Sequence, residues 1–111
     1  MTRMERARSG ETIDAFTTIA DIEHIAAARI RDTVASGEVS LLTSAVRDIP
    51  PSAIGDGLRI KINANIGTSS DESSIEEEVD KALCAVEHGA DTIMDLSTGG
   101  NIEATRIRIL D

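Results

Sequence analysis

Tryptophan and tyrosine are absent from these 111 residues, and Phe16 is the one phenylalanine. There is no series of aromatic rings on which nucleobases could stack. Basic residues are also scarce: 11 Lys and Arg against 20 Asp and Glu leave a formal charge of -9. A nucleic-acid-binding face needs net positive charge to displace counterions, so nucleic acid is not an expected partner. The single cysteine, Cys84, excludes an internal disulfide, and it excludes a thiolate-ligated cluster or structural zinc built by these residues alone. Only His24 and His88 could add imidazole ligands, so no metal ligand is assigned. No apolar run approaches the ~18 residues of a membrane span. The first eight residues, rich in arginine, lack the apolar stretch of a secretory signal. A cytoplasmic protein with no membrane partner is the default expectation.

What is present reads as one domain's length of globular chain, since 41% hydrophobic and 28% charged residues are ordinary proportions. Residues 1–37 read as helical. A short segment from Thr2 to Arg8 stops at Ser9-Gly10. A second helix is predicted from Asp21, as N-cap, through Ile22, Ile25, Ala26, Ile30, Thr33 and Val34 to Gly37. Residues 38–42 suggest a short strand. Residues 43–57 are expected to be irregular, because Pro50-Pro51 cannot sit inside a helix or a central strand and Gly55-Asp56-Gly57 is a turn signal.

The clearest pattern follows. Residues 59–66 alternate, with Ile60, Ile62, Ala64 and Ile66 facing one way and Arg59, Lys61, Asn63 and Asn65 the other, which predicts a strand. A polar loop occupies 67–73. Ser74 and Glu77 form a capping-box pattern, and Ile75, Val79, Leu83 and Val86 make the stripe of a helix ending at Gly89. A second strand is predicted over 92–96. Asn101 then caps a third helix carrying Ile102, Arg106, Ile109 and Leu110. Strand, helix, strand, helix calls for a parallel pair. Two strands leave exposed edges, so the pattern reads as the opening of a larger (βα)n fold. The division is a helical leader and irregular linker over 1–57, then the first βαβα part of a barrel domain over 58–111.

In such folds ligands gather at the carboxyl ends of strands. Asn65 stands at one such end, and asparagine is unusual inside a strand; a solvated edge strand would explain it equally well. The loop 97–100 opens a helix and could cradle a phosphate, although ordinary turns and caps use the same residues. Asp95 suits a base, a ligand contact or a turn. The acidic run Glu76-Glu77-Glu78 reads as a solvated first turn opposing the helix dipole. Cys84 reads as a small core residue, and His88 as a helix cap.

Three blocks then become recognisable: Lys61-Ile62-Asn63-Ala64-Asn65-Ile66-Gly67-Thr68-Ser69, Ser74-Ile75-Glu76-Glu77-Glu78-Val79, and Gly89-Ala90-Asp91-Thr92-Ile93-Met94-Asp95-Leu96-Ser97-Thr98-Gly99. In this order and spacing they resemble the phosphomethylpyrimidine synthase (ThiC) family, and the first ten residues resemble the start of its shorter members. The resemblance implies a (βα)8 TIM-type barrel, incomplete in these residues. It implies a radical S-adenosylmethionine lyase that converts aminoimidazole ribotide to hydroxymethylpyrimidine phosphate in thiamine biosynthesis, as a homodimer. Asn65 and Met94 match the family's substrate-binding Asn and Met; no catalytic residue is matched. S-adenosylmethionine, a 4Fe-4S cluster and zinc are implied for the full-length family, whose cysteine motif and zinc histidines lie downstream of the residues present. These residues are therefore expected to be an amino-terminal fragment, inactive alone. Residues 40–46 depart from the family's Pro-Ala-Asn-Ile-Asn-His segment. A 5-hydroxybenzimidazole synthase acting on the same substrate, or a non-catalytic decayed paralogue, would carry the same blocks.

Overall fold

A computed structural model describes residues 1–71 and 74–111. It divides into two compact units, Met1–Ile60 and Lys61–Asp111.

The first unit is three helices and a hairpin. Helix α1 (Arg3–Arg8) starts at a full capping box, in which the Thr2 hydroxyl accepts from the Glu5 N–H and the Glu5 carboxylate accepts from the Thr2 N–H. Helices α2 (Asp14–Glu23) and α3 (Ala27–Ser36) replace the single helix expected from Asp21. Asp21 is an exposed residue near the end of α2, not a cap. The break comes at His24, which adopts left-handed geometry (φ 57°), while the Ile25 N–H returns to the Ala20 carbonyl. The segment before residue 21 supplies the core: Phe16, Ile19 and Ala20 at helical spacing pack with Ala7, Ile30, Val34, Val39 and Ala53. Strand β1 (Val39–Leu42) pairs antiparallel with β2 (Ser52–Gly55). Part of the stretch expected to be irregular is thus a strand. Pro50 and Pro51 stand just outside it, where their missing N–H groups cost no ladder bond.

The second unit runs β3 (Asn63–Ile66), α4 (Ile75–Glu87), β4 (Thr92–Asp95), α5 (Ile102–Leu110). This is an alternating α/β arrangement, and β3 and β4 form a two-stranded parallel sheet. The strand expected over 59–66 is paired only from Asn63. Among the described residues its first half has no partner strand; the Ile62 N–H donates to the Asp91 carboxylate at 2.8 Å, and Ile60 and Ile62 are exposed. Helix α4 starts where the sequence placed it, the Ser74 hydroxyl accepting from the Glu77 N–H. Asn101 caps α5, accepting from the Ala104 N–H. Residues 72 and 73, the end of the expected polar loop, lie outside the described residues. The buried residues of α4 are Glu78 and Ala82; Val79, Leu83 and Val86 of the expected stripe line a hollow with Ile93 and Ile109, but Leu83 and Val86 stay exposed there.

Candidate functional site

Parallel pairing fixes which side chains share a face. Asn63 is opposite Thr92, Ala64 opposite Ile93, Asn65 opposite Met94 and Ile66 opposite Asp95. Side chains alternate along each strand, so Asn63, Asn65, Thr92 and Met94 occupy one face and Ala64, Ile66, Ile93 and Asp95 the other. Both helices cover the second face. Ile93 and Asp95 line a hollow of about 300 Å³ with Arg106, Ile109 and Leu110 of α5. Val79 and Ala82 of α4 line a neighbouring cavity that also reaches Ile93. The face with Asn65 and Met94 is open, and Met94 is 48% exposed.

A directed chain of hydrogen bonds crosses that open face. The Thr92 hydroxyl donates to Asn63 Oδ1 at 2.7 Å. Asn63 Nδ2 then donates to Asn65 Oδ1 at 2.7 Å. The polar half of the alternating pattern is therefore an organised ladder.

The carboxyl ends of the strands are tied together. The Leu96 N–H donates to the Ile66 carbonyl at 2.7 Å, and the Thr98 N–H to the Thr68 carbonyl at 2.8 Å. The Thr68 N–H donates to Ser97 Oγ at 3.1 Å, and the Thr68 hydroxyl to the Gly99 carbonyl at 2.6 Å. Thr68 and Ser97 are buried by this interlock. Contact is close enough to require glycine: a Cβ at Gly67 would lie 2.6 Å from the backbone of Leu96 and Ser97, and one at Gly99 would collide with the Ser69 backbone.

Two carboxylates hold the helix-covered side of this rim. Glu78, 4% exposed, accepts from Lys81 Nζ at 2.7 Å and from the Gly67 N–H at 2.7 Å. The bond from Lys81, opposed by burial and aided by the Gly67 N–H, holds its carboxyl below the ordinary value. Glu76 and Glu77 are exposed as expected, but Glu78 is a buried anchor for the loop after β3. Asp95 accepts from Arg106 Nε at 2.8 Å and from the backbone and hydroxyl of Ser97. Burial raises its carboxyl, but these bonds outweigh burial and leave it below the ordinary value. Of the roles open to Asp95, the geometry favours turn former and ion-pair partner. In the loop 97–100 the Ser97 N–H and hydroxyl are spent on Asp95, and the Thr98 N–H on the Thr68 carbonyl.

Cys84 is exposed, not a core residue, because α4 turns Ala82 rather than Cys84 inward. His88 does cap α4: its N–H donates to the Cys84 carbonyl, and Nδ1 lies 2.9 Å from the same oxygen. Among the described residues no three His, Cys, Asp or Glu side chains gather where they could hold a metal ion. With one cysteine and two histidines, the described residues do not fit an iron-sulfur cluster or a zinc ion. No helix among the described residues is long and apolar enough to cross a membrane.

A βαβα unit with both helices on one face, tied strand ends, and an ordered polar ladder on the other face defines an alternating α/β arrangement, a class whose ligands generally gather at strand carboxyl ends. The chain belongs to the Radical SAM ThiC family, whose model matches residues 2–111. It is 47% identical over 111 residues to the phosphomethylpyrimidine synthase of Pyrococcus abyssi, covering 99% of this chain and 26% of that protein. Its identity is 45% to the protein of the same name from Methanocaldococcus jannaschii, covering 100% of this chain and 26% of the relative. With that of Thermus thermophilus it is 42% over 115 residues, covering 100% and 26%. The chain thus spans about a quarter of the length of the curated relatives it matches.

Proposed function

We propose that these residues are the amino-terminal part of a phosphomethylpyrimidine synthase, a lyase of thiamine biosynthesis that rearranges aminoimidazole ribotide into hydroxymethylpyrimidine phosphate. In this reading residues 1–57 are a leader and 58–111 the first βαβα units of a (βα)8 barrel. The helix-free face of β3 and β4 is then the barrel interior. The observation that carries the reading is the pairing of Asn65 with Met94 on that open face, at the carboxyl ends of adjacent parallel strands.

Asn65 and Met94 are the substrate contacts. Asn65 supplies an amide hydrogen bond, and Met94 an adaptable apolar surface against a ring. The interlocked loops behind them fix both positions, so little ordering remains when substrate arrives. S-adenosylmethionine, the cluster and zinc belong in this reading to residues outside these 111, and the segment described here binds and orients.

Titration calorimetry of aminoimidazole ribotide against a full-length protein carrying this sequence tests the assignment. Asn65→Ala should lose a polar contact worth ~1–3 kcal/mol, weakening binding at least about tenfold. Met94→Leu should be mild and Met94→Asp severe, since only the former nearly conserves volume and polarity. Wild-type affinity in Asn65→Ala and Met94→Asp would remove the substrate from this face.

A further inference from the structure

The ladder on the open face has a direction, and that direction says what Asn65 can offer. We propose that Asn63 and Thr92 are positioning residues, which fix the Asn65 amide so that its N–H donors meet an acceptor atom of the substrate.

The Thr92 hydroxyl gives its proton to Asn63 Oδ1. An amide whose oxygen accepts from Thr92 has its nitrogen on the other side, and there Asn63 Nδ2 meets Asn65 Oδ1. The amide of Asn65 is planar, so committing Oδ1 to Asn63 turns Nδ2 away from Asn63. Nδ2 carries two protons and accepts nothing. The atom offered to a ligand at this position is a donor, and its complement is an unprotonated ring nitrogen, a carbonyl or a hydroxyl oxygen with a free lone pair. Neither Asn63 nor Thr92 needs to touch the substrate. Each sets the rotation of the next amide, which in isolation is nearly indifferent to a flip.

The inference rests on Asn65 being a substrate contact, and neutral substitutions separate the two claims. Dissociation constants for aminoimidazole ribotide are measured on the full-length protein by calorimetry, alongside melting temperatures. Asn63→Leu removes the donor to Asn65 with similar bulk, and Thr92→Val removes the hydroxyl alone. Each should weaken binding by about three- to tenfold, the range of one hydrogen bond, at an unchanged melting temperature. Thr92→Ser restores the hydroxyl and should bind like wild type. Asn65→Asp, which offers only acceptors, should bind no better than Asn65→Ala. Wild-type affinity in Asn63→Leu and Thr92→Val, with Asn65→Ala impaired, overturns the relay and leaves the substrate site standing. Asn65→Asp binding more tightly than Asn65→Ala overturns the donor polarity. Loss of affinity that tracks the melting temperature and is not restored in Thr92→Ser shows a purely structural role and overturns the proposal. A silent Asn65→Ala overturns both the site and the relay.

Discussion

Position 78 carries the largest departure at the scale of single residues. Its carboxylate is buried yet fully engaged, by Lys81 on one oxygen and the Gly67 N–H on the other. Removing one partner of a buried bond leaves the other unsatisfied, so Glu78→Ala should cost about 1–3 kcal/mol in a denaturant melt. The sign of its pH dependence follows from the lowered carboxyls of Glu78 and Asp95. Folded values below the unfolded ones stabilise fully above the unfolded values of 4.5 and 3.8, and that contribution is lost as pH falls through the folded values. The melting temperature should therefore hold steady above about pH 6 and fall below about pH 4.5, less steeply in Glu78→Gln. A slope unchanged by that substitution would place the titrating group elsewhere. The sequence could not single out Glu78 from Glu76 and Glu77, because its partner Gly67 stands on another element. The placement of Asn65 and Met94, by contrast, was legible: alternation put Asn65 at a strand end, and the strand holding Met94 followed one helix later, although Met94 itself was singled out only by the family resemblance.

At the scale of elements, local signals and tertiary ones part company. Of the caps read from the sequence, Ser74 on α4, Asn101 on α5 and Gly37 after α3 formed, while Asp21 fell inside α2 and the Thr2 capping box on α1 went unread. Helix α2 was missed because Ile13, its N-cap, makes no side-chain cap bond, and the Phe16, Ile19, Ala20 spacing was the only mark of it. Strand β2 was missed because its identity comes from pairing with β1 rather than from its own four residues. His24 ends α2 in a conformation that costs a non-glycine residue roughly 1–2 kcal/mol. His24→Gly should therefore raise stability, by up to about 1 kcal/mol after glycine's entropic cost; a lower melting temperature would show the imidazole holding the turn. Gly99→Ala should do the opposite. Its Cβ meets the Ser69 backbone, and overpacking of this kind costs about 1–3 kcal/mol. Because Gly99 closes the loop interlock, the same variant should weaken substrate binding in the full-length protein.

Across the whole molecule, burial is uneven. The residues of the hydrophobic core, Phe16, Ile19 and Ile30 among them at 0–1% exposure, all belong to the first unit. The second unit buries Ile66, Ala82 and a set of bonded polar groups, while Ile62, Leu83, Val86, Leu96, Ile107 and Leu110 stay more than half exposed. Opening free energy follows apolar burial, so amides of α2 and α3 should exchange with deuterium more slowly than those of α4 and α5 in the isolated 111 residues. The exposed apolar side chains should also bind a hydrophobic dye and drive association as concentration rises. Equal protection in the two units would mean that the polar interlock stabilises as much as the apolar core. The central claim, that the open face of β3 and β4 receives substrate, is tested most directly by a crystal structure of a full-length protein carrying this sequence with aminoimidazole ribotide bound. The account predicts an acceptor atom of the substrate within hydrogen-bonding distance of Asn65 Nδ2, with Met94 against the same molecule. Substrate seated elsewhere, with Asn65 and Met94 touching only solvent or protein, would contradict it.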